Sequence, residues 1–77
     1  MREKPQRIAR KLRTIRIRLG VSQTGMAELL NFKVEPARIS DYELGKRQAN
    51  LLTLLAYARA GKVALEEIID DEMELTI

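Results

Sequence analysis

Apolar residues recur along this chain at helical intervals. Ile8, Leu12, Ile15 and Leu19 step by four, three and four, which lays one apolar stripe along a first helix. The spacing predicts a helix starting near Pro5 and stopping before Gly20, with Arg7, Arg10, Lys11, Arg13 and Arg18 covering its remaining surface. Ser22 is a good N-cap for a second helix, "QTGMAELL", with Met26, Ala27 and Leu30 facing inward. Gly25 weakens that helix by about 1 kcal/mol relative to alanine. It also stands where a glutamate would complete a capping box. Asn31 can end the helix in a left-handed conformation.

A third helix is expected over residues 36–44, within "EPARISDYEL". Pro36 suits the first helical position, and a residue before proline favours the extended backbone an N-cap needs, although Glu35 is a poor cap. Gly45 closes this helix. The stretch "ANLLTLLAYARAG" then runs from an Asn50 cap to Gly61, with Leu51, Leu54, Leu55 and Ala58 on one face. A short last helix, "ALEEIIDD", presents Leu65, Ile68 and Ile69. No repeat, low-complexity segment or linker interrupts the pattern. The expectation is one all-α domain over residues 1–77, five helices with a core of about 6–70 and an acidic tail at 71–77. Helices 2 and 3, joined by a short turn and followed by Gly-Lys-Arg, form a helix-turn-helix unit.

Composition removes several classes of chemistry. With no cysteine, disulfides and thiolate metal ligation are excluded; with no histidine, the commonest catalytic base and metal ligand are missing too. The only clustered carboxylates, Glu66 to Glu74, lie near one end of the sequence, where a solvated face is the usual explanation, so neither an enzyme nor a cofactor is expected. The apolar runs are far too short for a membrane span and no signal-type stretch opens the sequence, which leads to the expectation of a soluble cytoplasmic protein. Charge is unevenly placed: residues 1–18 carry a net +7, residues 19–48 are neutral and residues 49–77 carry −4. A basic block at one end of a small domain points to a polyanion as partner, against the plainer reading of a solvated helix face.

Three stretches in order, "LGVSQTGMAELL", "RISDYELGKR" and "LLTLLAYARAGKVALEEI", resemble the lambda-repressor-like, Cro-type (XRE) helix-turn-helix domains over roughly residues 8–70. The resemblance implies a compact five-helix fold with the third helix in the major groove of double-stranded DNA. It implies phosphate contacts from Gln23, Thr24, Lys46 and Arg47, with Gln23 also bracing the third helix. Arg16 matches a position where the family pairs an arginine with the glutamate that is Glu43 here. A repressor acting as a homodimer is the function such domains imply.

The residues support that pairing independently. Ile39, Tyr42 and Glu43 share one face of the third helix, so Glu43 points at the core, where an unpaired carboxylate is expensive. Arg16 follows Leu12 and Ile15 on the edge of the first helix's inner face and is the available cation; the plainer reading leaves it exposed. The opposite face of the third helix presents Ala37, Ser40, Asp41 and Leu44, flanked by Arg38. Arg38 can read guanine, Ala37 can meet a thymine methyl, and Asp41 can accept from a cytosine amino group, while Pro36 has no donor to offer.

Some features fit the family less closely. The turn "NFKVEP" is about two residues longer than the family's usual one. The near-neutral third helix and the acidic "EEIIDDEMEL" favour a rival reading, an antitoxin-like or other protein-binding module of the same fold. The basic first helix and Lys46-Arg47 disfavour it. In "DEMELTI", Met73, Leu75 and Ile77 alternate with polar residues, a strand-like pattern expected either to support dimerisation through the C-terminal part or to fray.

Overall fold

Three of the helix ends are closed by the same backbone device, and it explains why so short a chain turns so sharply. In a computed structural model, which describes residues 7–31 and 34–75, helix α1 spans Ile8–Arg18, α2 Gln23–Leu29, α3 Pro36–Glu43, α4 Leu51–Gly61 and α5 Leu65–Ile69. After α1, Gly20 takes a φ of 73°, its N–H bonds Ile17 O at 3.0 Å, and the Val21 N–H reaches Arg16 O at 3.4 Å. After α3, Gly45 takes 75°, its N–H bonds Tyr42 O, and the Lys46 N–H bonds Asp41 O at 2.9 Å. These paired bonds around one left-handed residue satisfy carbonyls that a helix end otherwise leaves unbonded. Lys62 does the same for α4 at a φ of 57°, a conformation that costs a side-chain-bearing residue more than glycine. Asn31 ends α2 in the left-handed region as expected, at 58°.

The helix starts follow their caps. Ser22 Oγ accepts the Gly25 N–H at 3.0 Å, and Asn50 Oδ1 accepts the Thr53 N–H at 2.8 Å. Glu35 makes no side-chain cap, leaving Pro36 and an extended Glu35 backbone to begin α3. At α5 the Glu67 carboxylate reaches back to the Ala64 N–H at 3.0 Å. The expected helix start at Pro5, the Phe32-Lys33 part of the long turn, and Ile77 lie outside the described residues.

The five helices enclose one core of Leu12, Ile15, Met26, Ala27, Leu30, Val34, Ile39, Tyr42, Leu54, Tyr57, Ala58 and Ile68. The expected inner faces of α1, α2 and α3 are all represented. The face of α4 is turned from the one expected: Leu51 is 62% exposed, whereas Tyr57 and Gly61 are buried beside Leu54 and Ala58. Close approach is the reason. A Cβ on Gly61 would lie 2.9 Å from Ile15 Cγ2, so α4 meets α1 at this glycine and carries Tyr57 inward. Ile69 of α5 and Leu19 after α1 are also more exposed than the spacing predicted.

Lys11 corrects a second expectation. Placed on the outer surface by its charge, it is instead 5% exposed. Its ammonium donates to the carbonyls of Glu67 (2.6 Å), Asp70 (2.8 Å) and Met73 (2.8 Å). Three donors thus meet three acceptors at the C-terminal end of α5, where the helix dipole favours a cation. The tail is seated by the same contact. Residues 71–73 form a turn and a bend, and residues 74–75 take no regular element where the alternation suggested a strand, while Leu75 packs against the core.

Candidate nucleic-acid interface

Helix α3 is fixed from behind before its outer face can do anything. Ile39 and Tyr42 are buried in the core, and Glu43 lies beside them with its side chain only 3% exposed. Arg16 answers it with two bonds, Nε to Oε2 at 2.7 Å and Nη2 to Oε1 at 3.0 Å. This planar, bidentate match is the strong form of a charge-assisted pair. The remaining Arg16 nitrogen, Nη1, donates to Val21 O at 3.0 Å. One guanidinium therefore ties together the end of α1, the turn before α2 and the last turn of α3. The hydrogen bond to Glu43 holds the Arg16 pKa above its ordinary value, against the opposing effect of burial.

Tyr57 lies fully buried in this part of the core, and its hydroxyl has no hydrogen-bond partner among the described residues. Burial pushes the phenol's pKa well up, and the Glu43 charge adds to the effect. Nothing in the sequence pattern pointed to this residue, because its place in the core depends on how α4 is rotated.

With its inner side committed, α3 presents Ala37 and Arg38 exposed to solvent and Ser40 and Asp41 partly so. Leu44, 65% exposed, ends that face. Gln23 and Thr24 stand in the first turn of α2, half-buried and exposed respectively. Lys46 and Arg47 are exposed immediately after the turn that closes α3, and both their N–H groups point at Asp41 O. All the side chains expected to touch bases or phosphates, apart from half-buried Gln23, Ser40 and Asp41, are thus open to solvent. Asp41 is engaged within the protein, since its Oδ2 lies 3.5 Å from Arg47 Nε.

The basic block of α1 is less free than its charge implied. Arg7 donates through Nη1 to Asp71 O at 2.9 Å and to Glu74 Oε1 at 3.3 Å, and its backbone N–H bonds Asp71 Oδ1. Lys11 is buried under the same tail, and Arg16 is spent on Glu43. The acidic tail and the basic helix are therefore partners of each other, which separation in sequence concealed. Among the described residues no three acidic side chains converge as a metal site would require.

Helix-turn-helix is the family whose model matches residues 12–68, most of the chain. No curated protein matches the sequence. Among solved structures the fold is similar to that of the P22 c2 repressor protein, determined in complex with synthetic operator 9T in the presence of Tl+. That likeness has a TM-score of 0.76 at 21% sequence identity, covering 87% of this chain and 98% of the other. The order of the helices agrees with the family match: this chain belongs to the helix-turn-helix family.

Proposed function

We propose that this chain is a sequence-specific DNA-binding transcriptional regulator, most simply a repressor that occludes a promoter as a homodimer. The observation that carries the reading is the arrangement around α3. A helix held rigidly by Arg16, Ile39 and Tyr42 turns a row of short and polar side chains outward, with cations at its end. In the complex α3 lies in the major groove. Arg38 reads guanine, Ala37 meets a thymine methyl, and Ser40 and Asp41 accept or donate at neighbouring base edges. Gln23, Thr24, Lys46 and Arg47 hold phosphates, which supplies affinity and register rather than sequence choice. The structural likeness to a repressor crystallised with an operator supports this use of the fold.

In the proposed dimer the two copies carry their α3 helices into successive major grooves about 34 Å apart. The whole chain serves as one domain in this reading, with the tail as part of its fold.

Selection from a pool of random duplex DNA, run at two salt concentrations, tests the proposal. The expected product is a palindromic motif with half-sites one helical turn apart, bound much more weakly at the higher salt. Failure to enrich any motif, with binding indifferent to salt, would overturn it in favour of a protein-binding module.

A further inference from the structure

The contact between Asp41 and Arg47 joins the one carboxylate on the outer face of α3 to one of the two cations in the following turn. We propose that the two form an interlock in which Asp41 occupies Arg47 until a matching base releases it. Engagement of the right site then exchanges both partners together: Arg47 passes to a phosphate and Asp41 to a base-edge amino group. This deepens the DNA-binding reading above and rests on it.

Geometry makes the exchange feasible. The side chains of Arg47 and Asp41 are 56% and 36% exposed, so the pair can open without disturbing the core. The backbone beneath it is fixed, because Asp41 O accepts the N–H groups of both Lys46 (2.9 Å) and Arg47 (3.4 Å). Arg47 therefore stays within reach of both the carboxylate and any phosphate passing the end of α3. Lys46, beside it, makes no ion pair among the described residues and is available to a phosphate throughout. An exposed pair of this kind shifts an equilibrium by roughly fivefold or less, so the interlock tunes binding and does not block it.

The asymmetry between sites follows from what each offers Asp41. On arbitrary sequence, moving Arg47 to a phosphate strands a carboxylate among phosphates and base acceptors. A cytosine amino group removes that penalty. Non-specific complexes thus keep Arg47 on Asp41, while the matched complex gains one further phosphate contact.

Binding of the full-length chain to a fluorescent duplex of random sequence, over a series of salt concentrations, tests this with wild type, Asp41→Asn, Arg47→Gln and the double variant. Asp41→Asn is expected to tighten binding about threefold to fivefold. It should also steepen the slope of log K against log salt by about 0.9, the signature of one more neutralised phosphate. In the Arg47→Gln background the same change should leave the slope unaltered. Equal effects in both backgrounds, or no change of slope, would overturn the interlock and leave Asp41 as a general repeller of DNA. A steep wild-type slope alongside either of those results refutes the interlock alone. A wild-type slope near zero refutes the DNA-binding reading and the interlock with it.

Discussion

Replacing Arg16 by methionine removes the guanidinium while keeping much of its apolar length. Glu43 then loses bonds of 2.7 and 3.0 Å, and with a side chain 3% exposed it cannot turn to water. Breaking a buried pair from one side costs about 3–5 kcal/mol. A domain of 77 residues has a total stability of roughly 4–12 kcal/mol, so Arg16→Met should lose a large part of it or fail to fold. The reverse change should be milder. With Glu43→Leu, Arg16 keeps its bond to Val21 O, and its 15% exposed side chain lies close enough to the surface to hydrate its free nitrogens. The double variant removes both charges and should recover to within about 1–2 kcal/mol of wild type. Urea denaturation of all four proteins measures these differences, with a midpoint shift for Arg16→Met of roughly 3–5 M if the slope is about 1 kcal/mol/M. Losses that simply add in the double variant would refute the reasoning, because they would mean that the two side chains do not depend on each other.

Tyr57→Phe should leave stability at neutral pH unchanged or raise it by about 1 kcal/mol, because the hydroxyl it deletes is buried without a partner. The phenol's folded-state pKa lies above its ordinary value of 10.0, so its contribution is complete below pH 10 and is lost as pH rises beyond. Wild-type stability should therefore fall by up to about 1.4 kcal/mol per pH unit there from this residue, and denaturation of the phenylalanine variant should show a shallower fall. Lys11→Met should cost about 1–3 kcal/mol in denaturation by leaving three carbonyls without their donor; a loss near zero would show that the ammonium is only a surface charge. Gly61→Ala should destabilise by about 1–3 kcal/mol despite alanine's better helix propensity, because its Cβ meets Ile15, and a stabilised variant in thermal melts would contradict that close approach. Lys46→Ala should weaken binding to every duplex alike and lower the salt slope by about 1, and a sequence-dependent loss would argue for base contact instead.

Local chemistry was the legible part of this protein. Ser22 and Asn50 announced their helices, Gly20 and Gly45 their ends, and the helical wheel placed Glu43 inside and Arg16 opposite it. Those features depend on neighbours a few residues away or on the high cost of an unpaired buried charge. Lys11 was misread because nothing near it in sequence shows that the carbonyls of Glu67, Asp70 and Met73 will converge there. Tyr57 was missed for a similar reason. Leu51 and Leu55 make as good an apolar stripe on α4, and only the approach of Gly61 to Ile15 selects the face that is buried. The outer face of α3 was legible as a surface, yet the partner Asp41 takes there depends on where the turn after Gly45 delivers Arg47.

The clasp made by Arg7 and Lys11 also bears on the order in which the chain assembles. Its bonds join residues 56 to 67 positions apart, so they close a ring around nearly everything else. Closing so long a ring from a disordered chain carries the largest entropic charge of any contact here, whereas α2 and α3 are neighbours in sequence and meet across one turn. Assembly is therefore expected to begin in the middle and finish at the ends. The same hierarchy governs brief openings of the folded protein: the seam between α1 and the tail can part while the helix-turn-helix unit stays formed, so the working surface is insulated from fraying at either end.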